Sequence, residues 1–405
     1  MFRKTWSVLL PLTVLVVLLL VLAANVKWVS FCATANQEQN PIPAPVLLSK
    51  TTGADLIAPP CAKALEQRAV CIAANKRALE IMSASHLEAV TVVQDVRTGA
   101  VIAFAASQPS NLDVTTPVLP LSLSKLLLAA SWWDNQQPDT SFESSRGTAN
   151  ARNPAYRARV SVHEMLVGGS DSAGRQMAVA LRRSVGSKTV IIDLRRYGFG
   201  QRANSPRDVT FWDELAQSWR ARLIPAPAYA SLSDEMKDTE WADTLSIGET
   251  NIIVTGLHVS RFLQAIGNGG TKLAPVAREE QAKPPDENLR ISLAQFGNPI
   301  RVMQESTALR LQSAMRDAVQ RGTAESIAKA LEGTGWEIGG KTGSGPGPAP
   351  LGPQSDGWFA GLIFDPQGKA RFTVATFVRH GGPGGGSAAK ISAKLARYII
   401  SGSIG

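Results

Sequence analysis

A serine and a lysine lie three positions apart at the start of an apolar run, in residues 120–125 (PLSLSK). At that spacing the side chains of Ser122 and Lys125 lie on one side of the first turn of a helix. The N–H groups and positive dipole end of a helix N-terminus favour a serine alkoxide or a developing oxyanion. Burial and neighbouring cations lower the pKa of a lysine toward values useful for a base. The pair is a candidate nucleophile and base; an N-cap serine followed by a surface lysine has the same spacing.

Residues 339–345 (GGKTGSG) follow a short apolar run and precede a loop rich in proline and glycine. The pattern predicts a strand whose end lets a ligand lie close to the backbone, because glycine has no side chain in the way. Lys341 supplies a cation and Thr342 a hydrogen-bond donor, and both groups suit a carboxylate. The stretch is therefore a candidate wall of a binding cleft.

A third candidate lies in residues 167–173 (VGGSDSA), where a glycine turn precedes a helical pattern. The turn sets Ser170 and Ser172 at the start of that helix, where their hydroxyls are candidates for relaying a proton. Ser170 or Asp171 is equally a candidate N-cap of the helix, which needs no chemistry at all.

Strand-like runs bracket the middle of the chain. Residues 89–93 and 101–105 flank a turn around Gly99 and predict a hairpin. Residues 358–364 and 372–378 predict a second pair of strands, joined by a short turn.

Helices are predicted between and after these strands. Residues 125–133 are apolar nearly all round, which indicates a buried helix, and residues 155–335 are mostly helical in pattern. The last helix has one apolar face, formed by Ile391, Leu395, Tyr398 and Ile399. We therefore expect an α/β (α+β) fold in which an antiparallel sheet is flanked by a large helical subdomain, within one main domain at residues 85–402.

The N-terminal part of the chain predicts a membrane anchor. Two basic residues precede an uncharged run rich in leucine and valine at residues 6–26. About 20 such residues cross a bilayer, and the preceding positive charges favour a cytoplasmic N-terminus with the remainder exported. We expect a stub and transmembrane helix at residues 1–27, then a proline-rich tether and a short helical segment at residues 28–84. A signal peptide cleaved near residues 33–35 is the competing interpretation.

Composition narrows the classes of partner and cofactor. The net charge of +9 is spread along the chain without a basic stripe of interleaved aromatics, so nucleic-acid binding is not expected. A basic surface suits an anionic wall polymer or membrane. His163 has no second histidine four residues on, and we expect no metal or cofactor. Cys61 and Cys71 would lie ~15 Å apart on one straight helix, so a disulfide between them requires a break in that helix.

The three candidate stretches together form an ordered pattern. Serine-x-x-lysine, serine-x-x and lysine-threonine-glycine, in that order, form the signature of penicillin-binding proteins and class A β-lactamases. The chain resembles the transpeptidase domain of penicillin-binding proteins, most of all the monofunctional class B enzymes, over residues 85–402. Four further stretches carry the resemblance, at residues 92–103, 194–200, 246–270 and 319–324.

This resemblance implies a penicillin-binding/β-lactamase-like fold and a role for each catalytic residue. Ser122 would be acylated, with Lys125 as its general base. Ser170 would shuttle the proton, with Lys341 nearby. The backbone N–H groups of Ser122 and Ser344 would form the oxyanion hole.

The resemblance also implies a set of substrate-binding residues, which are Ser172, Thr342, Gly343 and Ser344. Thr342 would bind the terminal carboxylate of the substrate. Ser172 departs from the family pattern, which has an Asn there that contacts both a substrate amide and the catalytic lysine. A serine is shorter and offers one donor, which puts rate and substrate choice in doubt. The loop at residues 345–353, rich in proline and glycine, is unusual beside such a site.

The implied activity is peptidoglycan D,D-transpeptidation through an acyl-enzyme, with stem peptides and β-lactams as ligands. D,D-carboxypeptidase and class D-like β-lactamase share the acylation half-reaction and stay open, and no glycosyltransferase domain is expected. An alternative from another class is a non-catalytic wall-assembly scaffold or β-lactam sensor. The implied location is the inner membrane, with a single span, an extracytoplasmic catalytic domain and other wall-synthesis membrane proteins as candidate partners.

Overall fold

The fold is built on antiparallel strands and the helices that cover them. A computed structural model describes residues 74, 76–97, 99, 101–107, 112, 116–145, 157–199, 210–213, 218–221, 232–233, 235–273, 299–345 and 355–402. The strands are β1 Glu88–Asp95, β2 Val101–Ala106, β3 Phe142–Ser145, β4 Arg157–Val160, β5 Thr210–Asp213, β6 Ser218–Ala221, β7 Thr271–Lys272, β8 Ile300–Arg301, β9 Glu337–Gly345, β10 Asp356–Phe364 and β11 Ala370–Arg379.

A helical segment at residues 76–83 precedes the first strand. The later α-helices are α1 Ser124–Asp134, α2 Val162–Gly168, α3 Asp171–Val185, α4 Ser187–Tyr197, α5 Asp238–Ser246, α6 Gly256–Gly267, α7 Glu305–Arg321 and α8 Ser387–Gly402. Two 3₁₀ turns, Leu121–Leu123 and Glu325–Ile327, lie before α1 and after α7.

The main sheet has five strands in the order β2-β1-β11-β10-β9, and every neighbouring pair is antiparallel. This arrangement confirms the predicted hairpin, the predicted second strand pair and the antiparallel sheet. Strand β9, which contains the Lys341-Thr342-Gly343 triplet, is an edge strand of this sheet. An edge strand keeps one row of backbone N–H and C=O groups available to another chain.

Helices cover both faces of the sheet. Along β10, Trp358 and Leu362 point into a core shared with α1, α6 and α7, while Phe359 and Ile363 point into a second core. The second core also contains the segment at residues 76–83 and the predicted apolar face of α8. Alternate residues of a strand face opposite sides, so a strand buried on both sides reads as the continuous apolar run seen in the sequence.

The middle of the chain is less uniformly helical than its pattern predicts. Strands β5 and β6 pair as a hairpin, and β7 pairs with β8. Aromatic residues such as Phe211, Trp212 and Trp219 explain the first hairpin, because they favour the extended conformation.

The N-terminal predictions concern residues that the structure does not describe. The anchor at residues 6–26, the alternative cleavage site at residues 33–35, the tether, Cys61 and Cys71 all lie outside the described residues. Within the described part, no helix has both the length and the apolar character needed to cross a membrane.

Candidate active site

The candidate nucleophile lies in a tight turn that leads directly into α1. Ser122 belongs to the 3₁₀ turn Leu121–Leu123, which directly precedes α1, and not to the first turn of an α-helix as the sequence suggested. Leu121 has a φ of 54°, a left-handed conformation that is uncommon for a residue with a branched side chain. Its N–H donates to the carbonyl of Gly248 at 3.0 Å, which holds the turn in this conformation. Such held strain is common where a fold presents a functional side chain.

Gly248 and Gly345 allow the turn to pack tightly. Gly248 has a φ of 71°, and a Cβ there would lie 2.1 Å from the carbonyl oxygen of Leu121. A Cβ on Gly345 would lie 2.2 Å from Leu121 Cδ2. The glycine at the end of β9 therefore accommodates the turn that carries Ser122, whereas its sequence context suggested room for a ligand.

Lys125 is fully buried, and its ammonium group has three acceptors. Nζ donates to Ser122 Oγ at 2.9 Å, to Asp171 Oδ1 at 2.6 Å and to the carbonyl of Ser246 at 2.5 Å. These three contacts satisfy all three N–H groups of a charged lysine. Burial nevertheless lowers the pKa of Lys125, against the opposing effect of the Asp171 carboxylate.

The second motif joins two helices. Gly169, with a φ of 68°, is the C-cap of α2. Ser170 is the N-cap of α3 and accepts from the N–H of Ala173 at 3.3 Å. Ser170 Oγ also lies 2.7 Å from Ser144 Oγ on β3 and 3.3 Å from Ser172 Oγ. The cap function and a place in a hydroxyl cluster are thus both present at Ser170.

Ser172 lies on the far side of that cluster. Its hydroxyl donates to the carbonyl of Glu143 at 3.2 Å, while the contact with Lys125 comes from the intervening residue, Asp171.

Lys341 is buried beside the second motif. Its Nζ donates to the carbonyl of Thr342 at 2.9 Å and lies 3.6 Å from the position that a Cβ would take on Gly169. Burial, and then the nearby positive charge of Lys125, lower the pKa of Lys341 to about 7. At neutral pH this lysine is therefore present in both its charged and its neutral form.

The other residues of β9 are held by the segments around them. Thr342 Oγ1 donates to Thr323 Oγ1 at 2.7 Å, and Ser344 Oγ accepts from the N–H of Gly384 at 3.0 Å. A Cβ on Gly343 would lie 3.2 Å from Leu121 Cβ, so this glycine also packs against the nucleophile turn.

The structure thus brings the three motifs to one place. Sequence reasoning missed the contribution of three other residues, Ser144, Asp171 and Thr323. Asp171 had a signal, since it stands between the two serines, but a cap accounted for it equally well. Ser144 and Thr323 act through hydrogen bonds to Ser170 and Thr342, which only the fold creates.

The arrangement suits nucleophilic chemistry on a carbonyl group. A serine hydroxyl contacts a buried lysine whose pKa is lowered, and a second such lysine lies on the adjacent strand. Among the described residues, no three His, Cys, Asp or Glu side chains form a group that could hold a metal ion.

Comparison with known proteins assigns the fold to a family. The family model of the penicillin binding protein transpeptidase domain matches residues 89–401. The chain belongs to this family. Transpeptidase domains of this family are found in enzymes of peptidoglycan synthesis.

Solved structures share the transpeptidase fold at low sequence identity. Penicillin-binding protein 3 from Mycobacterium tuberculosis, complexed with aztreonam, is 19% identical with a TM-score of 0.58, and the match covers 82% of this chain and 77% of that one. The transpeptidase domain of Burkholderia pseudomallei penicillin-binding protein 3 is 18% identical, with a TM-score of 0.57 and coverages of 83% and 92%.

A third solved structure is an acyl-enzyme. Penicillin-binding protein A from M. tuberculosis, in its ceftriaxone acyl-enzyme complex, is 15% identical, with a TM-score of 0.59 and coverages of 82% and 78%. No curated protein sequence matches the chain.

Proposed function

We propose that the protein is a peptidoglycan D,D-transpeptidase that forms an acyl-enzyme on Ser122 from stem peptides ending in D-Ala-D-Ala. The observation that carries this proposal is the 2.9 Å contact between Ser122 Oγ and the buried amine of Lys125. Membership of the transpeptidase family supports it, as does the existence of a ceftriaxone acyl-enzyme in a protein of the same fold.

Acylation requires the neutral form of Lys125, in which Nζ has lost one proton and accepts from the Ser122 hydroxyl instead of donating to it. Lys125 takes the proton of Ser122 as the serine oxygen bonds to the carbonyl carbon of the penultimate D-Ala. The backbone N–H groups of Ser122 and Ser344 receive the oxyanion, a contribution commonly worth several kcal/mol. The C–N bond then breaks, and the proton reaches the departing D-Ala amine through Ser170 and Lys341.

The substrate is held along the edge strand. A stem peptide adds beside β9, whose outer row of backbone groups suits an extended chain. The terminal carboxylate binds Thr342 and the cation of Lys341, and Gly343 and Ser344 line the same strand. Ser172 stands at the sequence position of the family's Asn, and its hydroxyl would have to leave the carbonyl of Glu143 to bind the substrate amide.

The fate of the acyl-enzyme decides the reaction. Attack by the amine of a second stem peptide forms a cross-link and restores the Ser122 hydroxyl. Attack by water releases a shortened peptide, which is D,D-carboxypeptidase activity, or hydrolyses a β-lactam, as in a class D-like β-lactamase. The shorter Ser172 weakens the grip on the donor amide, and it is the observation that keeps these hydrolytic activities as the second candidate.

Labelling with a fluorescent penicillin tests the nucleophile. The wild type and Ser124→Ala should both take the label, while Ser122→Ala should take none. Ser124 is a matched control, because its hydroxyl is buried two residues away and has no hydrogen-bond partner among the described residues. An unlabelled wild type, or equal labelling of Ser122→Ala, would contradict acylation of Ser122 and favour a non-catalytic scaffold. Slow, non-covalent retention of the penicillin would favour a β-lactam sensor.

A peptide assay separates the activities that share acylation. Purified protein is given a D-Ala-D-Ala pentapeptide with and without an amine acceptor, and the products are separated by mass. Transpeptidation predicts a cross-linked product that requires both the acceptor and Ser122. Release of D-Ala with no cross-linked product would instead assign the protein as a carboxypeptidase.

The N-terminal apolar run determines where we expect the transpeptidase domain to lie. A single membrane helix at residues 6–26 would place the transpeptidase domain outside the cytoplasm, where its substrate is. Alkaline phosphatase fused after residue 402 should be active in intact cells, because that reporter needs an oxidising compartment. An inactive fusion at equal protein level would contradict the location.

A further inference from the structure

Asp171 forms an ion pair with the candidate base. Its Oδ1 lies 2.6 Å from Lys125 Nζ, and the side chain of Lys125 is wholly buried while that of Asp171 is 53% exposed. The carboxylate therefore contacts the buried amine from the protein surface.

The ion pair provides Lys125 with a contact that the family's Asn would otherwise make. In the family pattern the Asn two positions after the motif serine contacts the catalytic lysine, but here that position is Ser172. Its hydroxyl instead donates to the carbonyl of Glu143. Asp171 is the first residue of α3, directly after the Ser170 cap. The helix therefore fixes the position of the backbone from which the carboxylate extends.

A second contact fixes this geometry from the other side. Ser246 Oγ donates to the backbone carbonyl of Asp171 at 3.1 Å, and the carbonyl of Ser246 accepts from Lys125. A Cβ on Gly174 would lie 2.4 Å from Ser246 Oγ, so α3 and the end of α5 pack closely here. The carboxylate, the amine and the serine hydroxyl are thus parts of one rigid arrangement.

We propose that Asp171 is the residue that positions Lys125 and sets the pH range in which Lys125 activates Ser122. This inference rests on the proposed function of Ser122 and Lys125. Asp171 acts through the lysine and does not touch the reacting carbonyl, so it is a positioning residue.

The charged groups around Lys125 affect the pH range in which this lysine is neutral. On α3, Asp171 raises the pKa of Lys125 and Arg175 lowers it; beyond α5, Glu249 raises it. On β9, Lys341 adds a further positive charge, since Lys125 and Lys341 interact. Burial outweighs the carboxylates, and Asp171 is the carboxylate with the larger opposing effect.

The proton balance gives Asp171 its role. When Ser122 Oγ bonds to the carbonyl carbon, its proton passes to Lys125, which becomes an ammonium ion. An ammonium ion in a buried site needs a counter-charge, and Asp171 supplies one at hydrogen-bond distance. The same proton later leaves with the amine of the leaving group, so Lys125 gains and then loses one positive charge beside Asp171 in each acylation.

The test is the pH profile of acylation. The second-order rate of labelling by a fluorescent penicillin is measured between pH 5 and 10 for the wild type, Asp171→Asn and Asp171→Glu. Asp139→Asn is the control, because Asp139 is an exposed aspartate paired with Arg310 away from Lys125. We expect Asp171→Asn to lower the plateau rate and to shift the acid limb to lower pH by about 1 unit, the effect of losing one close opposite charge. Asp171→Glu should keep the wild-type limb, and Asp139→Asn should match the wild type throughout.

A lower plateau with an unmoved acid limb would overturn the inference, because loss of shape alone lowers the rate equally at every pH. That result leaves the proposed function intact, whereas a wild type that takes no label removes the proposed function itself. If Asp171→Asn is too slow to follow, NMR titration of ¹³C-labelled lysine in the folded variant gives the answer: a lower Lys125 pKa supports the inference and an unchanged one overturns it.

Discussion

Replacing Lys341 by methionine should stabilise the fold and abolish acylation. Lys341 is buried, and its pKa is about 7 in the folded protein against an ordinary value of 10.5. Below pH 7 the lysine is charged in both the folded and the unfolded chain, so the full cost of burying the charge weakens the fold. As pH rises from 7 to 10.5 the folded protein has already lost its proton while the unfolded chain keeps one, and the cost disappears.

The size of the effect follows from the two pKa values. A separation of about 3.5 units at about 1.4 kcal/mol per unit gives a cost of about 5 kcal/mol below pH 7. The cost is about 4 kcal/mol at pH 7 and about 2 kcal/mol at pH 9. Methionine has a similar length and no charge, but it leaves the carbonyl of Thr342 without its hydrogen bond, which costs about 1 kcal/mol. Lys341→Met should therefore raise the free energy of unfolding by about 3 kcal/mol at pH 7 and by about 1 kcal/mol at pH 9.

Urea unfolding of both proteins, followed by tryptophan fluorescence at pH 7 and pH 9, measures this difference in the free energy of unfolding. Penicillin labelling of the same samples should show that the more stable variant is inactive. Equal gains at the two pH values, or a loss of stability at both, would refute the account of Lys341 as a buried lysine that titrates near neutral pH.

Two further predictions concern the support of the site. Gly248→Ala should cost about 3 kcal/mol of stability or more and slow acylation, because its Cβ would meet the carbonyl of Leu121. Gly333→Ala is the control: this glycine is also at positive φ but is exposed with open space around it, so its replacement should cost only about 1 kcal/mol and leave labelling unchanged. Equal urea unfolding midpoints for the two glycine variants would contradict this difference in stability. Thr323→Val should raise the KM for the pentapeptide several-fold with little change in kcat, because it removes the hydrogen-bond partner of Thr342. A fall in kcat as large as the rise in KM would contradict a role of Thr323 and Thr342 in binding the substrate carboxylate.

The parts of the fold that the sequence predicted are those with a strong local pattern. Residues 358–364 consist of apolar residues and one glycine, and residues 372–378 are apolar apart from two threonines; they lie in β10 and β11, which are buried on both faces. The C-terminal helix has its apolar residues at helical spacing and appears as α8. The short strands β5 and β6 were missed, because four residues are too few to show a period against a helical background.

The candidate site was predictable where chemistry depends on spacing along the chain. Ser122 and Lys125 are three residues apart, and their contact follows from one turn of structure. The pairing of Lys125 with Asp171 joins residues 46 positions apart. Nothing in the sequence fixes which of three neighbouring polar residues, 170 to 172, would face the lysine, because that depends on how α3 packs against α1 and α5.

The role of glycine in β9 shows the same limit. The sequence shows that residues 343 and 345 lack a side chain but not what fills the space. In the structure Leu121 fills it, together with Trp358 at residue 343, so these glycines let the turn that carries Ser122 pack directly against the strand that carries Lys341.

The most direct test of the central proposal is to find the residue to which penicillin attaches. The protein is treated with penicillin, its intact mass is measured, and the adduct is located by sequencing the peptides. We expect one adduct, attached to Ser122, with the mass of the whole penicillin, because ring opening expels no atoms. An adduct on any other residue, or none in protein that is folded, would contradict it.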